Sequence, residues 1–175
     1  MIDSVKPMIL IVDDEAEILY SLQGLLRREF DVQTAEGGRQ ALDLIAARAP
    51  QVIMTDQRMP GMTGAEFLAQ AVQICRDAVP IIFTGYADVK AVVDAVNRGH
   101  VFRYLSKPWD PDDLMDVLRE AVAHQQYRAE QHKLLIDVRQ FMQTFHWDDR
   151  LNSDPLEQEC RSIVQRIDVL LTERM

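Results

Sequence analysis

Met8 to Val12, "MILIV", is an unbroken apolar run that stops on Asp13 and Asp14. Nothing polar alternates along it, so it reads as a strand buried on both faces, the pattern of a parallel sheet covered by helices. An ionised carboxylate is very costly to bury without a partner. The two aspartates therefore mark the point where the strand leaves the core, beside something cationic.

The same figure recurs. "QVIMTD" (51–56) ends on Asp56, "VPIIFT" (79–84) on Thr84, and "VFRYLSK" (101–107) on Lys107, while Asp31 to Ala35 is a shorter, more polar strand suited to an edge. Between them lie helical spacings: Ile18, Leu19, Leu22, Leu25 and Leu26; Leu42, Ile45 and Ala46; Phe67, Leu68, Ala71 and Val72; and Val89, Val92, Val93 and Val96, which end at Gly99. Thr63 and Glu66 fit a capping box before the third helix. Asp110 caps the fifth, with Pro111 at its first position and Asp112 and Asp113 set favourably against its dipole. Five strands alternating with five helices predict an α/β fold, a parallel five-stranded sheet with helices on both faces. In such sheets the carboxyl ends of the strands converge on one crevice. Here they bring Asp13, Asp14, Asp56, Thr84 and Lys107.

Three carboxylates at one sheet edge require a cation or a proton among them. Hard oxygen ligands with room for water suit Mg2+. A divalent ion, a lysine, a hydroxyl and a free carboxylate oxygen form a site suited to receiving a phosphoryl group, with the aspartate as nucleophile. Singly, each residue also fits a turn, a cap or a solvated charge. Five of them, each at the same end of a strand, make the shared site the better reading.

At these residues the chain resembles the receiver domain of bacterial two-component response regulators. "VDDE", "TDQRMPGMTG", "FTGYAD" and "YLSKPW" carry the likeness, over about residues 6–125. The resemblance implies a flavodoxin-like (βα)5 fold and Asp56 as phospho-acceptor. It implies Mg2+ on Asp13, Asp14, Asp56 and the backbone carbonyl of Arg58. Thr84 takes the part of switch hydroxyl, Tyr104 of switch aromatic and Lys107 of phosphate-contacting lysine, with a cis Lys107–Pro108 bond. It also implies a sensor histidine kinase or phosphotransfer protein as phosphoryl source, and a signalling module rather than an enzyme. Gly85 stands where alanine is frequent, and His100 where a small residue often follows the glycine. Arg58 and Tyr86 hold positions that tune dephosphorylation in the family; they read equally as shields of the acyl phosphate and as solvated loop side chains. An aspartyl-phosphate hydrolase on a related sheet would place a second aspartate where Arg58 stands. A nucleotide-binding fold would need a GxGxxG or Walker loop, which does not occur.

All seven glycines lie at or before Gly99, and six of the seven prolines at or before Pro111, so a loop-rich domain (1–125) is expected ahead of a helical extension (126–175). Leu114, Val117, Ala121, Leu135, Val138, Met142 and Phe145 give a weak coiled-coil pattern, with His124, Arg128 and Gln131 as its polar middle. Cys160, Ile163, Val164, Ile167 and Leu171 share one face of a last short helix. Leu134, Leu135, Val138, Phe141, Met142 and Phe145 form an apolar stripe that predicts a homodimer, with a helical hairpin as the competing outcome. Nineteen basic against 28 acidic residues leave a net charge of −9, which argues against direct nucleic-acid binding. No run of 18 apolar residues or leader-like N-terminus is evident, so a cytoplasmic chain without a membrane span is expected. Cys75 and Cys160 offer no disulfide or metal spacing; Cys75 reads as a small buried hydrophobe. His100, His124, His132 and His146 lack paired ligand spacing and read as solvated.

Overall fold

A computed structural model describes residues 5–85, 101–144 and 155–172. Its strands are β1 (Met8–Val12), β2 (Asp31–Ala35), β3 (Val52–Asp56), β4 (Val79–Thr84) and β5 (Arg103–Ser106). Its described helices are α1 (Ala16–Leu26), α2 (Gly38–Ala47), α3 (Gly64–Ile74), α4 (Pro111–Thr144) and α5 (Pro155–Thr172). The strands form one parallel sheet in the order β2-β1-β3-β4-β5, and the more polar β2 is at an edge, as expected. The helical stripe Val89 to Val96, with Gly99, Tyr86 and His100, lies outside the described residues.

The alternation of side chains along a strand divides the core in two. Ile9 and Ile11 of β1 pack with Leu19, Leu22 and Leu26 of α1 and with Leu114, Leu118 and Ala121 of α4. Leu10 and Val12 face the other way, toward Leu42 and Ile45 of α2 and Phe67, Leu68 and Ala71 of α3. Both faces of β1, β3 and β4 are thus dry, which is why those strands carry no polar alternation. Cys75 is buried at the end of α3, in the small-hydrophobe role expected of it.

The caps follow the sequence. The Thr63 side chain accepts from the Glu66 backbone amide, and the Glu66 carboxylate accepts from the Thr63 amide. The Asp110 carboxylate accepts from the amides of Asp112 and Asp113 at the start of α4. Such caps satisfy donors that the first helical turn leaves without partners. The Lys107–Pro108 bond is cis.

The chain divides into two compact units, Met1–Gln125 and Gln126–Met175, and α4 passes from one into the other. Within the first unit, the Gln51 side-chain amide donates to Gln125 Oε1 at 3.0 Å while its own oxygen accepts from the Met8 amide. Arg119 clasps Glu29 through two guanidinium nitrogens, tying α4 to the turn after α1. Within the second unit, Arg139 of α4 pairs with Asp168 of α5 at 2.8 Å. The stripe expected along α4 is split: Leu134, Val138 and Phe141 are exposed, whereas Leu135 and Met142 are half-buried. His124 is exposed yet stacks at a tilt on Phe102, 4.9 Å between ring centres, so it is more engaged than a merely solvated histidine.

Candidate functional site

The carboxyl ends of β1 and β3 hold the site because each strand runs out of apolar residues there. Asp13 is wholly buried, and its carboxylate accepts from the Glu15 amide (2.8 Å) and from Lys107 Nζ (2.7 Å). Asp56 is 4% exposed; its Oδ1 lies 2.8 Å from the same Nζ, and its Oδ2 accepts from the Arg58 backbone amide. One ammonium therefore bridges two carboxylates delivered by adjacent strands. Glu15 reaches the edge of the group, 3.8 Å from Nζ. Asp14 is exposed.

Electrostatics follow from this packing. Burial pushes the Asp56 carboxyl above its ordinary value, against the hydrogen bonds from Lys107 and the Arg58 amide and the Lys107 charge. Burial also opposes the charge on Lys107, but its hydrogen bonds to Asp13 and Asp56 and their negative charges outweigh it and hold the ammonium above the usual lysine range. The phospho-acceptor candidate is thus a desolvated carboxylate kept ionised by one lysine.

Thr84 ends β4 beside Asp56 and is 2% exposed. Its carbonyl accepts from the Lys107 amide at 2.8 Å, which links the ends of β4 and β5. Tyr104 is half-buried against the α2–α3 side of the core. Gly85 is exposed, and among the described residues none stands where a Cβ would be added.

Four supporting residues carry no sequence signal of their own. Lys107 Nζ sits 4.8 Å above the Phe83 ring, a cation–π contact, and Trp109 meets that ring edge-on at 5.5 Å. Gly64 opens α3 directly against the backbone carbonyl of Asp56, where a Cβ would collide. Gln57 is buried and turns its side-chain oxygen to the Ala65 amide, 3.1 Å. Only the tertiary approach of α3 to β3 reveals the last two.

The oxygen donors that the receiver resemblance implies at this edge are Asp13, Asp14, Asp56 and the Arg58 carbonyl, of which Asp13 and Asp56 are brought together around Lys107. They fit Mg2+ in chemistry and charge. Among the described residues no three acidic, histidine or cysteine side chains already converge as a metal site; the cation between Asp13 and Asp56 is Lys107.

Residues 9–119 match the model of the response regulator receiver domain. The chain belongs to the response regulator receiver family. It is 37% identical over 131 residues to the hydrogenase transcriptional regulatory protein HoxA of Cupriavidus necator, covering 75% of this chain and 27% of that one. It is 34% identical over 122 residues to the DNA-binding transcriptional regulator NtrC of Escherichia coli, covering 69% and 26%. The chain thus spans about a quarter of the length of these relatives. Among solved structures it is similar to the signal receiver domain of an HD domain-containing protein from Pseudomonas fluorescens Pf-5, with a TM-score of 0.69, 36% identity and coverage of 74% and 96%. A CheY-like receiver domain protein from Methanospirillum hungatei gives 0.66, 32%, 71% and 99%. A structure described as adenylate cyclase from Rhodopirellula baltica gives 0.72, 36%, 75% and 98%. This receiver is a signalling domain of the two-component class, phosphorylated on an aspartate, from a family that works with Mg2+ and takes its phosphoryl group from histidine kinases or phosphotransfer proteins. No described helix is long and apolar enough to cross a membrane.

Proposed function

We propose that Asp56 is the phospho-acceptor and that its phosphorylation switches the surface around Thr84 and Tyr104. The bridge from Lys107 Nζ to Asp13 and Asp56 carries this reading. An Asp56 oxygen attacks the phosphorus of a phosphohistidine or a small acyl phosphate; the O–P bond forms as the bond to the leaving group breaks, and the leaving group departs with the electron pair. Lys107, already at hydrogen-bond distance from Asp56, follows the charge onto the phosphoryl oxygens. Mg2+, held by Asp13, Asp14, Asp56 and the Arg58 carbonyl, supplies further neutralisation when bound. Thr84, at the next strand end, donates its hydroxyl to the new oxygens, and Tyr104 turns inward behind it.

The donor is a sensor histidine kinase or phosphotransfer protein, the location cytoplasmic, and the output passes through a homodimer made by the C-terminal helices, without direct contact to nucleic acid. A hydrolase would need a carboxylate where Arg58 stands, so steady turnover is not the function. Incubation with Mg2+ and acetyl phosphate tests the acceptor by phosphate-affinity electrophoresis. One retarded band is expected, absent in Asp56→Asn; a band that persists in that variant overturns the assignment.

A further inference from the structure

Lys107 has to cross a strand to reach its partners. Asp56 of β3 is in register with Phe83 of β4, and Phe83 with Leu105 of β5. Val12 pairs with Thr55, which brings Asp13 level with Asp56. Residues side by side in a parallel sheet point to the same face, so Asp13, Asp56 and Phe83 form one row there. Lys107, two residues past Leu105, returns to that face. Its strand is two spacings from β3, about 10 Å, with β4 between. The lysine stem therefore passes over β4, and the side chain that β4 sets beneath it is Phe83.

The contacts follow that path. Phe83 is wholly buried, and Nζ lies over its ring, 4.8 Å from the centre. Trp109 meets the same ring edge-on, with 5.5 Å between centres and 85° between planes, a favoured aromatic geometry that fixes how the ring is turned. Lys107 and Trp109, two residues apart, thus take Phe83 by its face and its edge. An aliphatic side chain would fill the same core space but would offer the ammonium no negative face to rest on.

The ammonium has somewhere else to go. Glu15 stands 3.8 Å from Nζ, and its side chain is 66% exposed. A lysine without a floor can swing to that wet rim and leave Asp56. Resting on the Asp56 reading above, we propose that Phe83 is a positioning residue for phosphoryl transfer. Its ring carries Lys107 across β4 and keeps Nζ between Asp13 and Asp56, and Trp109 locks the ring. When the phosphoryl group arrives, Nζ turns a hydrogen from Asp56 Oδ1 to a phosphoryl oxygen without leaving the ring, so the charge is in place before the O–P bond forms.

Labelling of the full chain by acetyl phosphate with Mg2+ tests this, beside proton resonances of Lys107. Phe83→Leu keeps an apolar side chain and removes the ring face; labelling should slow about twofold to thirtyfold, the range of a cation–π contact from an exposed to a desolvated site. Trp109→Leu should slow it less, and Trp109→Phe, which restores an aromatic edge, should recover most of that loss. An aromatic ring shields protons over its face, so the Lys107 Hε resonances should stand upfield in the wild type. They should move back in Trp109→Leu although Phe83 is still present, a change that lost core packing alone would not give. Hε resonances at ordinary lysine positions in the wild type, or wild-type labelling in Phe83→Leu, overturn the role of Phe83 and leave Asp56 as acceptor. If circular dichroism shows Phe83→Leu unfolded, the Trp109 pair decides: equal labelling and equal Hε positions in Trp109→Leu and Trp109→Phe overturn the inference. A wild type that takes no label, or a label that persists in Asp56→Asn, overturns the acceptor reading itself.

Discussion

Lys107 Nζ stands 2.8 Å from Asp56 Oδ1 while the Phe83 ring lies 4.8 Å below. The lysine keeps a buried carboxylate ionised without removing the cost of burying it, because burial still holds the Asp56 carboxyl above its ordinary value. A carboxyl raised on folding binds its proton more tightly in the native than in the unfolded chain. It therefore subtracts stability above its folded pKa and subtracts none below its unfolded one. Asp56→Asn keeps the acceptor for Lys107 and loses the charge. The variant should melt higher at pH 7.5, by a few degrees for each ~1 kcal/mol recovered, and the gain should vanish as pH falls toward 4. A variant less stable than wild type at pH 7.5 refutes the account.

Asp13 and Asp14 look alike in the sequence and should behave differently. Asp13 is wholly buried and shares Lys107 with Asp56. Removing one partner of such a pair costs about 3–5 kcal/mol. Asp14 is exposed. Asp13→Ala should lose both stability and phosphorylation; Asp14→Ala should melt as wild type does while needing more Mg2+ for the same labelling. Labelling by acetyl phosphate should disappear in excess chelator for every variant. Equal labelling with chelator and with Mg2+ rules out a metal role.

Strands β1, β3 and β4 were legible because each is apolar along its length and gives way abruptly to a polar residue, a pattern that burial on both sheet faces enforces. Asp13, Asp56 and Lys107 could be gathered at one edge from that pattern alone. What the order of residues does not encode is which neighbours a fold brings close. Gly64 looks like an ordinary turn glycine until α3 comes up against the Asp56 carbonyl, and Phe83 like one more core residue until Lys107 rests on it. The α4 stripe was read as continuous because Leu134 and Leu135 are both apolar; a helix turns about 100° between them, so one is half-buried and the other exposed.

Gly64→Ala tests the close approach at α3. The added Cβ meets backbone, not a flexible side chain, so either α3 or the Asp56 carbonyl must shift. A small-to-large change in a packed site costs about 1–3 kcal/mol. The expected result is a lower melting temperature together with slower phosphorylation, because Asp56 and the Gln57–Ala65 hydrogen bond sit on the displaced segment. Gly85→Ala is the control: among the described residues nothing stands within 4 Å of an added Cβ, and labelling should be unchanged. Wild-type melting and labelling in Gly64→Ala would show that the contact is not needed.

Thr84 offers the sharpest separation of phosphorylation from its consequence. Its backbone carbonyl accepts from the Lys107 amide at 2.8 Å, so the ends of β4 and β5 are held in register whatever the side chain does. Only the hydroxyl is free to follow new phosphoryl oxygens. Thr84→Val keeps the shape and removes that donor, so Asp56 should still be phosphorylated. A hydrogen bond to a charged group contributes about 1.5–3 kcal/mol, and the switch can shift by no more than that differential, about tenfold to a hundredfold in its equilibrium. Beryllofluoride should therefore move the amide resonances of residues 101–106, around Tyr104, in the wild type and move them far less in Thr84→Val. Equal shifts in both proteins would mean that the change at β5 arises from Lys107 following the phosphoryl group, with the Thr84 hydroxyl a bystander.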